Sequence, residues 1–203
     1  MKLSTQPLKA RFKDNLIEAG IDEAGRGCLA GPVVAAAVIL PYNFDDPEIN
    51  DSKKLSEKTR DRICEKIKSN ALAWAIGIVD NTRIDEINIL QATFLAMHRA
   101  VSQLSQQPGL LLVDGNRFKP YPDIQHQCII KGDAKFQSIA AASILAKTHR
   151  DSMMKELHLS YPQYGWDKNK GYPTIFHRQA IKEFGITPLH RVTFHLLAPL
   201  SLF

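Results

Sequence analysis

The chain has 203 residues, 44% of them hydrophobic and 23% charged, which is enough to bury a substantial core without a disulfide or metal framework. The cysteines Cys28, Cys64 and Cys128 are widely spaced and form no Cys-x-x-Cys pair, which excludes a disulfide scaffold and a structural zinc site. The 26 basic and 21 acidic side chains give a net charge of +5, which favours a polyanionic partner without establishing one.

The sequence contains no targeting or membrane segment that we can identify. Residues 1–15 are a polar leader, without the apolar stretch of about seven or more residues that a secretory signal needs. The longest apolar run, residues 29–40, is interrupted by Gly31 and Pro32 and is shorter than the roughly 20 residues of a spanning helix. We therefore expect a soluble, cytoplasmic protein.

The first half of the chain predicts three strands and a helix. Residues 16–21 and 33–40 are short apolar runs bounded by turn residues, which is typical of strands. Residues 55–69 carry apolar side chains at four-residue intervals behind Ser56, a good N-cap, and predict an amphipathic helix. A third strand is expected at residues 71–79.

The second half predicts helix, strand, strand and helix. Apolar positions spaced by three and four predict one long helix over residues 85–105, and strands follow at 109–114 and 127–130. Residues 136–159 are rich in alanine and lack Gly and Pro, which favours a helix. A loop over residues 161–174 leads to a last helix that ends at Gly185. The whole pattern predicts a mixed α/β sheet covered by helices.

The glycines of "GIDEAGRGCLAGPVV", residues 20–34, imitate a dinucleotide-binding loop. Such a loop must open a helix whose N-terminus holds the pyrophosphate. Here Pro32 and a β-branched apolar strand follow instead, so we disfavour a nucleotide site. A tight turn between antiparallel strands explains the glycines better, but it leaves the acids and Arg26 without a purpose.

Acidic side chains recur where predicted strands end. Asp22 and Glu23 end the first strand, Asp114 ends the strand at 109–114, and Asp133 follows the next strand. Each has a local alternative: solvated turn carboxylates for the pair, an Asp-Gly turn at Asp114, and a helix cap at Asp133. Their recurrence at the carboxyl ends of three strands, where ligand sites of open α/β sheets lie, favours a shared site.

Four converging carboxylates would repel one another unless cations neutralise them. Oxygen ligands suit Mg²⁺ or Mn²⁺, and a pair of these ions activates water and stabilises the leaving oxygen in phosphodiester hydrolysis. A basic protein with such an acidic pocket indicates a nuclease.

Several stretches in one order resemble bacterial ribonuclease HII, a type 2 ribonuclease H. They are "GIDEAGRG", "DSKKL", "LLVDG", "KGDAKFQSIAAASILAKTHRD" and "GYPT", and the resemblance covers residues 17–193. It implies a ribonuclease H-like mixed five-stranded sheet flanked by helices, with a helical C-terminal part. It also implies one domain over residues 1–203, whose C-terminal loop and helices begin at about residue 161.

The resemblance implies an endoribonuclease that uses Mg²⁺ or Mn²⁺ and cleaves 5′ to a ribonucleotide, leaving 3′-hydroxyl and 5′-phosphate ends. Its substrates would be RNA–DNA hybrids and duplex DNA with embedded ribonucleotides. The metal-binding and catalytic acids fall on Asp22, Glu23, Asp114 and Asp133. The backbone that contacts the 2′-hydroxyl falls on Gly25, Arg26 and Gly27, and Tyr172 would pack on a deoxyribose.

Further substrate contacts are expected from basic and polar side chains. They are Lys53 and Lys54, which solvation alone would also explain, Ser143 and Lys147 on one helix face, and Arg191 near the C-terminus. We read Asp151 as a surface partner of Lys155 rather than a fifth ligand. His149 and His190 are more simply structural, and Trp74 is expected in the core.

Cys28 stands where many relatives have proline, which places a thiol beside the expected site and suggests that its alkylation inhibits cleavage. No clamp-binding tail is evident, and a monomer is expected. Two alternatives remain open from the residues: a resolvase-type nuclease of the same fold, and a nucleic-acid-binding module without activity.

Overall fold

The structure, a computed structural model, describes residues 7–49 and 55–197. Its strands are β1 Glu18–Ala24, β2 Val33–Ile39, β3 Ala73–Val79, β4 Leu110–Asp114 and β5 Gln125–Ile129. They form one sheet in the order β3-β2-β1-β4-β5. Strands β1, β2 and β3 are antiparallel neighbours, whereas β4 and β5 run parallel to β1. The predicted mixed five-stranded sheet is confirmed.

Helices cover both faces of this sheet. They are α1 Glu57–Asn70, α2 Asn81–Ser102, α3 Gln137–Ser160, α4 Trp166–Asn169 and α5 Ile175–Phe184, with single 3-10 turns at Gly132–Ala134 and Pro162–Tyr164. Helix α2 packs against one face, and α1 and α3 pack against the other. Ser56 caps α1 as expected, because its Oγ accepts a hydrogen bond from the Thr59 N–H at 3.2 Å.

Helix α2 departs from the single continuous helix that the spacing predicts. It begins at Asn81, with Asp80 as its N-cap, and is broken at Asn88, whose φ of 64° is not helical. The Asn88 Oδ1 accepts hydrogen bonds from the N–H groups of Leu90 and Gln91 at 3.0 and 3.1 Å. Asn88 therefore caps the second part of the helix, a local use of asparagine that apolar spacing does not reveal.

Close packing of α3 on β1 sets the position of the site. Along β1 the side chains of Ala19 and Ile21 point toward α2. Gly20 faces α3 so closely that a Cβ there would lie 2.1 Å from the Ser138 carbonyl carbon. This contact lets α3 run beside the end of β1, where Asp22 lies. Among the helices of the described residues, none is long and apolar enough to cross a membrane.

Candidate active site

Three of the four predicted acids meet at one edge of the sheet. Strands β1 and β4 are parallel neighbours, with Ile21 opposite Val113, so Asp22 and Asp114 end side by side. Together with Glu23 they line a cleft of about 220 Å³, which we call the acidic cleft. Its other lining residues are Ala24, Gly25, Arg26, Gly27, Ser143, Lys147 and Tyr172.

Asp22 is the buried carboxylate of the cleft. Burial raises its pKa well above the usual value, and the charges of Glu23 and Asp114 raise it further. Two hydrogen bonds act in the opposite direction: the Glu23 N–H donates to Asp22 Oδ1 at 2.7 Å, and Ser143 bonds the carboxylate. Burial and the adjacent carboxylates therefore oppose ionisation of Asp22, and a divalent cation bound in the cleft would favour it.

Ser143 lines the acidic cleft from α3. Its side chain is buried and bonds Asp22, so it orients that carboxylate. A contact between Ser143 and a phosphate stays a prediction.

Glu23 and Asp114 already have partners in the structure. Glu23 Oε1 lies 3.3 Å from Arg26 Nη1, and Asp114 Oδ1 accepts a hydrogen bond from the Gly132 N–H at 2.6 Å. Asp133 is buried in the next turn and does not line the acidic cleft. Across residues 7–49 and 55–197, no three Asp, Glu, His or Cys side chains are grouped tightly enough to enclose a metal ion.

The buried side chain of Arg191 holds residues 25–27, which we call the glycine loop. Arg191 is 0% exposed and donates to the carbonyls of Gly25 and Arg26 at 2.8 and 2.9 Å and of Gly31 at 3.0 Å. The expected contact between Arg191 and a phosphate is therefore wrong for this structure. Its guanidinium supports the loop from inside.

Arg150, which the sequence did not single out, supports the same region. It donates to the carbonyls of Pro32, Lys170 and Ala30 at 2.9, 2.8 and 3.1 Å. A Cβ on Gly25, whose φ is +95°, would lie 2.0 Å from Arg150 Nε. The position of Arg150, two helical turns beyond Ser143, was the signal that it shares the face of α3 toward the site.

Unlike Gly25, Gly27 is not required to be glycine by packing or backbone conformation in the fold. It is exposed, its φ is not left-handed, and nothing lies within 4 Å of the place where its Cβ would be. The fold would accept a side chain at Gly27. Because Gly27 has no side chain, its backbone is exposed to a ligand in the acidic cleft.

Tyr172 forms another wall of the cleft and is 37% exposed. Lys147 Nζ lies 5.6 Å from the centre of its ring and the Arg150 guanidinium 5.9 Å from it. Burial raises the pKa of the Tyr172 hydroxyl, and the neighbouring Cys28 thiol raises it further. The ring is neutral at physiological pH and presents an apolar face beside two cations.

Asp151 is not the surface residue that the sequence suggested. It is buried, accepts hydrogen bonds from Arg60 Nη2 at 2.9 Å and from Lys147 Nζ at 2.7 Å, and thereby fixes Lys147 at the cleft. Lys155 pairs with Glu57 instead.

The other sequence predictions divide between surface and interior. His149 is exposed, whereas His190 is buried. Trp74 is 38% exposed, so its expected place in the core is wrong. Lys53 and Lys54 lie outside the described residues.

Cys28 lies next to the cleft but is buried, with 0% exposure. Its Sγ donates to the Lys170 carbonyl at 3.6 Å, and burial raises the pKa of the thiol. Since alkylation needs an accessible thiolate, the structure opposes the hypothesis of an easily modified Cys28.

We expect iodoacetamide to label Cys128, which is only partly buried, before Cys28 in the native protein, as followed by peptide mass spectrometry. Labelling of Cys28 as fast as Cys128 would contradict this burial.

Acids at the ends of neighbouring strands, on a mixed five-stranded sheet covered by helices, define a nuclease of the ribonuclease H-like class. A family model described as Ribonuclease HII matches residues 19–197. The chain belongs to the ribonuclease HII family. The protein is accordingly a ribonuclease H with endonuclease activity.

Relatives and solved structures agree with this assignment. Ribonuclease HII of Bacteroides thetaiotaomicron is 65% identical over 183 residues, which are 90% of this chain and 92% of that one. In the PCNA:RNase HII complex from Archaeoglobus fulgidus, the matching chain is 27% identical with a TM-score of 0.75, over 92% of this chain and 98% of that chain. Bst-RNase HIII in complex with Mn²⁺ matches in fold, with a TM-score of 0.70 at 20% identity, over 89% of this chain and 68% of that one.

Proposed function

We propose that the protein hydrolyses the phosphodiester on the 5′ side of a ribonucleotide, in RNA–DNA hybrids and in duplex DNA with embedded ribonucleotides. The products would carry 3′-hydroxyl and 5′-phosphate ends. We further propose that it acts in the cytoplasm as a single-domain monomer and removes misincorporated ribonucleotides. An archaeal relative has been solved in complex with PCNA.

One observation supports the substrate assignment: acidic side chains and glycine backbone line the same cleft. Asp22 and Asp114 line it together with Gly25 and Gly27. A 2′-hydroxyl both donates and accepts hydrogen bonds, and it is what distinguishes RNA from DNA. Gly25 is buried and Arg191 bonds the Gly25 and Arg26 carbonyls. The exposed backbone of Gly27 is therefore the part of the glycine loop that offers partners to a 2′-hydroxyl in the same cleft as the carboxylates.

The donor set fits divalent metal ions. Asp22, Glu23, Asp114 and Asp133 would hold Mg²⁺ or Mn²⁺, because carboxylate oxygens are the ligands these ions prefer. The pKa of Asp22 is raised first by burial and then by neighbouring charge, and a bound cation would lower it. When bound, such ions supply a Lewis acid for the phosphate and lower the pKa of a bound water.

The remaining residues of the cleft bind and orient substrate. Ser143 holds Asp22, so the carboxylate keeps one direction. Lys147 uses one proton for Asp151 and retains two further donors for a phosphate. Tyr172 offers a ring face to a deoxyribose, and the glycine loop approaches the adjacent ribose. These roles place recognition of the sugar directly beside hydrolysis.

A paired cleavage assay tests the proposal. Two duplexes of the same sequence, one all DNA and one with a single ribonucleotide, are incubated with enzyme and either Mg²⁺ or Mn²⁺. We expect one cut, 5′ to the ribonucleotide, and no cut in the all-DNA duplex. Equal cutting of both duplexes would indicate a resolvase-type nuclease, and binding without cutting would indicate an inactive binding module. Either result would overturn the proposal.

A further inference from the structure

A buried cluster of aromatic side chains lies directly behind Tyr172. It consists of Trp166 on α4, His177 on α5 and His190 after α5, which are 0%, 0% and 1% exposed. The His177 and His190 rings are 5.3 Å apart, and Trp166 packs against both. None of these side chains lines the acidic cleft, so the proposed chemistry makes no direct use of them.

The hydrogen bonds of the cluster determine where each histidine carries its proton. The Thr187 N–H donates to His190 Nδ1 at 2.9 Å, so a neutral His190 carries its proton on Nε2. That proton points to His177 Nε2 at 3.2 Å, which also accepts from Trp166 Nε1 at 3.0 Å. His177 must then carry its proton on Nδ1.

The proton on His177 Nδ1 is directed at the loop that bears Tyr172. It is donated to the Tyr172 carbonyl oxygen at 3.0 Å. The chain of donors therefore runs in one direction, from Thr187 through both histidines to the backbone of Tyr172. A second proton on His190 Nδ1 would face the Thr187 N–H, and one on His177 Nε2 would face the Trp166 N–H. Burial also lowers the pKa of both histidines, to about 4 for His190. Both rings are neutral at physiological pH.

The same cluster is tied to the glycine loop through the next residue in the chain. Arg191 follows His190 and donates to the carbonyls of Gly25 and Arg26. Asn81 Nδ2 fixes this segment from α2 by donating to the carbonyls of Pro188 and His190 at 2.8 and 3.2 Å. Tyr172 and the glycine loop, which are both proposed to contact sugars, are therefore held by the same buried segment and cluster.

We infer that His177, oriented by His190 and Trp166, is a positioning residue that fixes Tyr172 against the sugar next to the cleaved bond. The inference rests on the proposed role of Tyr172 in substrate binding. His177 does not touch substrate. It acts through the backbone of Tyr172, in a cleft where a displacement of about 1 Å can cost 10²-fold in rate.

Two substitutions test the roles of the two ring nitrogens of His177 separately. In His177→Asn the amide keeps a donor near the position of Nδ1, so the bond to the Tyr172 carbonyl can persist. In His177→Gln the polar atoms lie near the position of Nε2, so that bond is lost while Trp166 and His190 keep a partner. We expect kcat/KM for the single-ribonucleotide duplex to fall about tenfold in His177→Gln and to stay within about threefold in His177→Asn.

A double-mutant cycle with Tyr172→Ala decides whether His177 acts through Tyr172. If it does, His177→Gln will change kcat/KM less than about twofold in the Tyr172→Ala background. Equal losses in both backgrounds, or equal losses in the Gln and Asn variants, would overturn the inference while leaving the proposed function intact. If Tyr172→Ala alone leaves kcat/KM unchanged, the proposed role of Tyr172 is wrong and the inference falls with it. Near-UV circular dichroism of Trp166 checks that each variant remains packed.

Discussion

Asp22→Asn will abolish cleavage and, without metal, make the protein more stable. We expect kcat to fall by about 10³-fold or more, a loss of about 4 kcal/mol of transition-state stabilisation, because the substitution removes a metal-binding charge. Asn keeps an oxygen that can accept the Glu23 N–H bond now made to Asp22 Oδ1. The variant should therefore fold normally.

The gain in stability follows from the sign of the pKa change. Asp22 has a higher pKa in the folded protein than the 3.8 of its unperturbed side chain, so the folded state binds its proton more tightly than the unfolded state does. Stability is then lost as pH rises from 3.8 through the folded pKa, because ionising the buried carboxylate opposes folding. Removing that charge should raise Tm, by about 2–4 °C for each kcal/mol relieved in a chain of this size.

Thermal unfolding with and without Mn²⁺ measures both effects. Wild-type Tm should rise when Mn²⁺ is added, because a ligand of the folded state stabilises it, and Asp22→Asn should show a smaller rise. Asp61→Asn, on the exposed surface of α1 and away from the acidic cleft, is the matched control and should change neither activity nor the Mn²⁺ response. Wild-type cleavage by Asp22→Asn would refute the assignment of the site.

The sequence predicted a shared acidic site because acids recur at the carboxyl ends of apolar runs. Asp22 and Asp114 each end an apolar run, and parallel neighbours bring their carboxyl ends to one edge. Asp133 shows the limit of this reasoning. It follows β5 by a turn, and the turn directs the Gly132 N–H toward Asp114 while Asp133 itself stays outside the cleft lining.

Buried charge is what the sequence could not predict. Arg150, Arg191 and Asp151 are at most 4% exposed, although such residues are almost never fully buried unless paired. Their partners are carbonyls of distant loops and ions on other helices, which only the folded chain brings near. His177 is a similar case, since its contacts come from α4 and from the segment after α5.

Trp74 was misjudged because sheet order decides exposure. It lies on β3, an edge strand of the sheet, and is covered only in part, by Lys68 at 5.5 Å. Trp166 lies in a segment that was predicted as a loop, and it packs in a buried cluster there. Local composition indicates strands and loops, but it does not state which strand is outermost.

Gly25→Ala should lower stability, whereas Gly27→Ala should leave stability unchanged and impair cleavage. At Gly25 a new methyl group would lie 2.0 Å from Arg150 Nε with a φ of +95°, and Arg150 cannot easily retreat because three carbonyls hold it. Backbone strain and overpacking together cost about 3 kcal/mol or more, so Tm should fall by at least about 6 °C. An unchanged Tm would mean that Arg150 is not fixed as the hydrogen bonds indicate.

At Gly27 the same methyl group meets no atom within 4 Å, so stability should stay within about 0.5 kcal/mol of wild type. The methyl would nevertheless occupy the open backbone on which the ribose is proposed to rest, and kcat/KM for the single-ribonucleotide duplex should fall about 10²-fold. Gly109→Ala, where a Cβ would make an ordinary 3.4 Å contact with Leu16, is the control and should cleave normally. If Gly27→Ala also cleaves normally, the glycine loop does not sense the sugar through this residue. If kcat/KM falls in Gly27→Ala but not in Gly109→Ala, and Tm is unchanged, glycine is required at position 27 for substrate binding and not for folding.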